Sequence, residues 1–190
     1  YSANSNELYS ERCKLIKDFQ QLCPDDFHLY GEGWSNEGFS VYRGFAPSKV
    51  TCYHRYKFAV CYENTRGLDG YITAEKLFFP MVAGCVPVYL GPNNITDYVP
   101  KECFVDRRDF NSNLDLYTFL KNMSKEEHEQ YLDNIQAFLK SEKTYPFSID
   151  NFVNIMMDAI KSVAKPTYRN KFTIDAKKSV LLYAVLSLKT

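Results

Sequence analysis

Glu63, Asn64, Tyr71, Glu75 and Lys76 bring two carboxyls, an amide, a phenol and an ammonium group into one short stretch of the chain. Arg12 stands far upstream, in the first turn of a segment that reads as a helix, beside backbone N–H groups that already favour an anion. A nucleotide can be held by a few local cations of this kind. Each residue also has a plainer reading. Glu75 and Lys76 suit a solvated first helical turn, Arg12 a surface helix charge, Tyr71 a packed loop aromatic, and Asn64 a turn residue bonding its own backbone. The chain lacks a glycine-rich phosphate loop of either common spacing, a serine nucleophile elbow, and an Asp-x-Asp pair to hold a metal between phosphates.

The elements that must position these residues run from Tyr56 to Pro92. Phe58 to Tyr62 is an apolar run suited to a buried strand. Glu63 to Gly70 carries the Asn, Thr, Gly and Asp of a loop. Thr73 can cap a helix with Glu75 and Lys76 in its first turn, and Gly84 can end it. Pro80 deletes a hydrogen bond from that helix and costs roughly 3 kcal/mol unless a kink absorbs it. Val86 to Leu90 is a second buried strand, closed by Gly91-Pro92. A strand-helix-strand of this length predicts parallel neighbours, and ligands on such sheets bind at the carboxyl ends of the strands.

Elsewhere the pattern predicts a helix over Ser10 to Leu22 with Leu15, Ile16, Phe19 and Leu22 on one face. Strands are expected at Phe27 to Tyr30 and Cys103 to Val105, and a short helix leads into the central unit from Val50 to Arg55. Asn113 caps a helix bearing Leu114, Tyr117 and Leu120. Ser124 and Glu127 form a capping box for a helix to about Leu139 with Tyr131, Ile135, Phe138 and Leu139 inward. Ser148 opens a last helix whose Phe152, Ile155, Met156, Ile160 and Val163 are expected to pack back on the sheet. The fold class is α/β, a Rossmann-like parallel sheet flanked by helices, over residues 1–165, with 166–190 as an extension.

The 190 residues contain 23 basic and 23 acidic side chains, so nothing points to a polyanion such as nucleic acid or to a membrane surface. The 15 Tyr and 14 Phe make the chain unusually aromatic. The six cysteines show neither a CxxC pair nor zinc spacing and read as reduced thiols, which favours a cytoplasmic setting. His28, His54 and His128 lie in separate elements, Trp34 in a glycine-flanked loop, and Arg107-Arg108 reads as a solvated pair. Asn94-Ile95-Thr96 and Asn122-Met123-Ser124 are glycosylation sequons of a kind that chance also produces. A polar start without Met suggests a piece of something longer.

The run KFAVCYENTRGLDGYIT, then EKLF and AGCVPVYLGP, followed by YVPKECFVDRRDF, closely resembles the donor-binding domain of the α-1,3/1,4-fucosyltransferase family (glycosyltransferase family 10). Upstream, LYSERCKLIKDF and DFHLYGEGW resemble the segments that precede it there, so the likeness extends roughly from Leu8 to Ile160. It implies the C-terminal half of a GT-B fold and an inverting transfer of fucose from GDP-fucose to a glycan acceptor, with an α-1,3 linkage and no metal or other cofactor. By the same resemblance Arg12 and Lys76 hold the phosphates, Glu75 takes fucose or ribose hydroxyls, Asn64 helps fix the donor, and Tyr71 lies against the guanine. The catalytic base is expected in an N-terminal acceptor domain absent from this chain. The resemblance implies work on lipopolysaccharide-type chains at the inner face of the membrane in a bacterium, or in the Golgi of a eukaryote. Any peripheral membrane association would run through parts not in this chain.

One departure from the family pattern stands inside the site. Its YITEK run is interrupted here by Ala74, and one extra helical residue rotates every later position by about 100°. Either a bulge absorbs Ala74 or the site is damaged. Two other functions therefore stay open: a different GT-B glycosyltransferase, or a truncated remnant that at most binds nucleotide.

Overall fold

The computed structural model describes residues 9–163. Contacts divide the chain after Thr144, and the second unit begins at Tyr145. The extension expected from residue 166 lies outside the described residues.

In the first unit, helix α1 (Tyr9–Leu22) buries Leu15, Ile16 and Phe19, the face expected of it. Helix α2 (Lys49–Tyr53) starts at Ser48, whose hydroxyl accepts the Thr51 N–H, and precedes strand β1 (Phe58–Tyr62). Helix α3 (Ala74–Val82) and strand β2 (Val86–Leu90) complete the strand-helix-strand unit. Strand β3 is only Val105–Asp106, and helices α4 (Asn113–Asn122) and α5 (Lys125–Leu139) come after it. The sheet has three strands in the order β1-β2-β3, all parallel. Phe58 pairs with Val86 and Tyr62 with Leu90. Every residue of β2 is buried, as a central parallel strand covered on both faces requires.

Local signals account for the ends of α3. Gly84 adopts φ +73°, the left-handed conformation that glycine takes without strain. Its N–H donates to Met81 O while Cys85 N–H donates to Pro80 O, the paired bonds of a Schellman stop. Pro80 sits inside the helix and is buried. The Ser124–Glu127 capping box forms as expected, with both reciprocal bonds present.

Several expectations about the elements of this unit are corrected. Phe27 to Tyr30 adds no strand to the sheet. Only Leu29 pairs, in an isolated parallel bridge to Tyr42, and Leu29, Phe39, Val41 and Ile16 make a small core of their own. The third strand lies two residues later than Cys103, because Lys101–Cys103 first closes a 3-10 turn. Helix α4 is capped by Ser112 rather than Asn113. Its anchor is fully buried Leu116, whereas Leu114 points to solvent.

The second unit contains helix α6 (Ile149–Val163), opened as expected by Ser148, whose hydroxyl accepts the Asn151 N–H. The burial expected for Phe152, Ile155, Met156, Ile160 and Val163 is not found; all five are exposed. Among the described residues no helix is long and apolar enough to cross a membrane.

Candidate functional site

The carboxyl end of β1 is the point where the candidate residues meet. The parallel register sets Cys61 opposite Tyr89. Because side chains alternate along a strand, Glu63 projects from the same face as Cys61 and comes within reach of the Tyr89 hydroxyl. Glu63 is fully buried, and an ionised carboxylate in such a place must be surrounded by donors. It is. Tyr89 Oη donates to Oε1 at 2.9 Å, and the Thr73 N–H donates to the same oxygen at 2.8 Å. The Thr73 hydroxyl lies 3.0 and 2.9 Å from the two carboxylate oxygens, and Lys76 Nζ is 3.3 Å from Oε2.

This arrangement changes the role expected of Thr73. It holds the N-cap position of α3 with extended φ and ψ, but its side chain makes no capping bond. Its hydroxyl and N–H both serve Glu63 instead. The buried carboxylate thus occupies the positive end of α3, where a negative charge is favoured.

Lys76 is mostly buried and divides its ammonium between Glu63 and Asn64, whose Oδ1 accepts at 3.2 Å. Arg12 arrives from α1, 50 residues before Tyr62 in sequence, and its Nη2 donates to the main-chain oxygens of Tyr62 and Glu63 at 3.2 Å each. Burial draws its guanidinium down from the ordinary arginine value, yet arginine keeps its charge near neutrality. Arg12, Asn64 and Lys76 are therefore brought together around one strand end.

Glu75 and Tyr71 are placed differently. Ala74 takes the first helical position of α3, and Lys76, two residues on, contacts Glu63. Glu75 turns to Lys49 of α2, and that bond holds its carboxyl below the usual range. Both partners of this pair are about half exposed, so it stabilises by no more than about 1 kcal/mol. Tyr71 sits half-buried in the loop between β1 and α3, where its N–H donates to Leu68 O. The same loop is tied down by Gly70, whose N–H donates to Asn94 Oδ1 at 3.0 Å.

Arg107 and Arg108 are not a solvated pair. They leave β3 in a 3-10 turn that folds both guanidiniums back on the protein. Arg108 grips the Asp106 carboxylate through Nε and Nη2, the latter at 2.7 Å, and also reaches the carbonyls of Pro92 and Asn93. Arg107 donates to Phe110 O and to Asn113 Oδ1. The three histidines stay apart: His28 meets Tyr56, His54 meets Ala83 O, and His128 meets Lys57 O. Trp34 stacks on Tyr9 with nearly parallel rings 5.8 Å apart.

A cavity of about 700 Å³ opens along α1, residues 27–31 and the edge of β1, with Arg12 on its wall. Asn64, Tyr71, Glu75 and Lys76 do not line it. The cavity runs along the flank of the sheet, and the candidate cluster lies at the strand end. Among the described residues no group of three or more His, Cys, Asp or Glu is placed to hold a metal ion.

Residues 2–165 match the family described as "Glycosyltransferase family 10 (fucosyltransferase) C-term". Over 113 residues the chain is 36% identical to the mouse protein "4-galactosyl-N-acetylglucosaminide 3-alpha-L-fucosyltransferase 9", a match covering 58% of this chain and 29% of that one. It is 38% identical over 68 residues to "Alpha-(1,4)-fucosyltransferase" from Arabidopsis thaliana, covering 36% of this chain and 16% of that one. The chain therefore matches under a third of the length of these curated relatives. A solved structure, "Crystal Structure of alpha1,3-Fucosyltransferase with GDP", superposes with a TM-score of 0.52 at 23% identity, over 66% of this chain and 34% of that one. At that identity the likeness concerns the fold.

Proposed function

Because this chain belongs to glycosyltransferase family 10, the fucosyltransferases, we propose that it is the GDP-fucose-binding half of such an enzyme. The observation that carries the reading is the convergence at Glu63. Arg12 from upstream and Lys76 from downstream both bond to this one residue at the end of a parallel strand. Two cations at a strand end suit a diphosphate, with arginine able to grip two oxygens and lysine supplying a point charge.

In the proposed reaction an acceptor hydroxyl oxygen attacks the anomeric carbon of fucose from the face opposite the nucleotide. The bond from that carbon to the phosphate oxygen breaks, and the configuration inverts. Negative charge then develops on the departing GDP, where Arg12 and Lys76 neutralise it without a metal ion. A well-placed, shielded contact of this kind contributes about 2–4 kcal/mol. The acceptor proton goes to a base outside this chain. Asn64 and Tyr71 hold the donor, and Glu75 receives its hydroxyls once Lys49 is displaced, which the weakness of that exposed pair permits. We take the acceptor to be a glycan and the linkage α-1,3. The animal and plant origin of the curated relatives favours a Golgi setting over the bacterial one.

Calorimetric titration with GDP tests this. The chain is expected to bind GDP and GDP-fucose but not UDP-sugars, with the same affinity in the presence of a chelator. Lys76→Ala should weaken GDP about tenfold or more, which corresponds to about 1.4 kcal/mol. A wild-type chain that releases no heat with GDP, or a Lys76→Ala variant that binds equally well, refutes the assignment.

A further inference from the structure

Lys76 carries three N–H donors. Two are engaged, one by Glu63 Oε2 and one by Asn64 Oδ1, and among the described residues the third meets no acceptor. The bond to Glu63 is unequal in what it does for each partner. The carboxylate already has the Thr73 N–H, the Thr73 hydroxyl and the Tyr89 hydroxyl, together with the positive end of α3. Its charge is therefore supported without Lys76. A lysine side chain, with its long flexible stem, has far more freedom to lose.

We propose that Glu63 is a positioning residue for the diphosphate-binding lysine: a rigid buried carboxylate that, with Asn64, fixes the Lys76 ammonium so that its remaining N–H meets the ligand. This rests on the donor-binding reading above and deepens it. A carboxylate beside an anion site also repels the anion, so two effects of opposite sign act at Glu63. Positioning through Lys76 tightens binding, and direct repulsion weakens it. Positioning is expected to outweigh repulsion, because Glu63 is fully buried and its charge is already bonded by Thr73, Tyr89 and Lys76.

The Glu63→Gln substitution separates the two effects. The glutamine oxygen can still accept from the Thr73 N–H and the Tyr89 hydroxyl, whereas its amide NH₂ faces Lys76 with donors only. The fold is thereby retained, as circular dichroism and thermal melting would show, and the lysine loses its anchor. GDP affinity is measured by calorimetry for wild type, Glu63→Gln, Lys76→Met and the double variant. Glu63→Gln is expected to weaken GDP about tenfold when Lys76 is present, and to leave it unchanged or tighten it in the Lys76→Met background. That reversal of sign is not produced by a merely structural role, which would weaken binding in both backgrounds. Equal weakening in both, or wild-type affinity in Glu63→Gln, overturns the proposal. Should Glu63→Gln not fold, Glu63→Asp repeats the cycle, keeping the charge while drawing it back from Lys76; weaker GDP binding is then expected beside Lys76 and no change in the Lys76→Met background, and equal weakening in both overturns the proposal. If wild type itself takes up no GDP, the donor reading fails before any substitution is made, so the two failures are told apart.

Discussion

Gly91 closes β2 directly beneath the Tyr89 ring, and a methyl group added there has nowhere to go. A Cβ at this position would lie 2.5 Å from Tyr89 Oη and 2.6 Å from Cε1 and Cζ. Ordinary contact begins near 3.4 Å, so the ring must retreat by about 0.9 Å. It has little room, being 1% exposed and packed edge-on against Phe104. Gly91 does not occupy left-handed backbone, so the effect of Gly91→Ala is steric alone. Overpacking of this size costs about 1–3 kcal/mol. Moving the ring also breaks the bond to buried Glu63, a hydrogen bond to a charged group worth about 1.5–3 kcal/mol. Removing a glycine from the unfolded chain returns about 0.4–1 kcal/mol. The net expectation is a loss of about 3 kcal/mol, or roughly 6–12 °C in melting temperature for a chain of this length. Urea denaturation followed by circular dichroism measures it. Tyr89→Phe should lose about 1.5–3 kcal/mol from the bond alone. The double variant should then fall short of the sum of the two, because both break the same bond while the ring atoms still clash. A Gly91→Ala protein within about 0.5 kcal/mol of wild type, the usual range for inconsequential changes, refutes the reasoning.

Two further outcomes are expected. Arg12→Ala should destabilise the protein by about 1–3 kcal/mol, because two strand-end carbonyls lose a charged donor, and should also weaken GDP; wild-type values in urea denaturation and calorimetry would contradict both. Burial pushes the Cys85 thiol up to about 12 and Cys103 to about 11, with Cys61 raised further still, so at pH 8 these three stay protonated in the folded chain. Intact mass after iodoacetamide should show them unmodified under native conditions and all six cysteines modified in urea; rapid native alkylation of Cys85 would show the packing around β2 to be wrong.

The elements that local chemistry determines were legible. Strands β1 and β2, α3 with its glycine stop, and the α5 capping box each depend on residues adjacent in sequence, and each formed where expected. The failures depend on distant partners. Phe27 to Tyr30 has strand composition, but whether it joins a sheet depends on a neighbour that composition does not name. The apolar stripe of α6 indicates a face that seeks cover and does not say what provides it. At the site, the parallel pairing of β1 and β2 was foreseeable in outline. The register that sets Tyr89 beside Glu63 was not, so Glu63 received no role although it stands between a buried strand and Asn64. A carboxyl directly after an apolar strand was the available signal. Glu75 and Lys76 read alike in sequence, yet one helical step of about 100° sends the first to Lys49 and the second to Glu63. Arg12 was connected to the cluster only through resemblance, since nothing local links α1 to a strand end 50 residues later.

That long-range staple has a mechanical meaning. Helix α1 is joined to the middle of the chain partly through one guanidinium resting on two peptide oxygens, so on the donor-binding proposal it would act as a latch on the nucleotide cradle. Anything that loosens the latch, such as a protease cutting within α1, would empty the cradle. Conversely, an occupied cradle would hold the latch shut: GDP at a hundred times its dissociation constant adds about 2.7 kcal/mol against any opening that releases the ligand. The survival of α1 under limited digestion would then report occupancy from the opposite end of the fold's wiring.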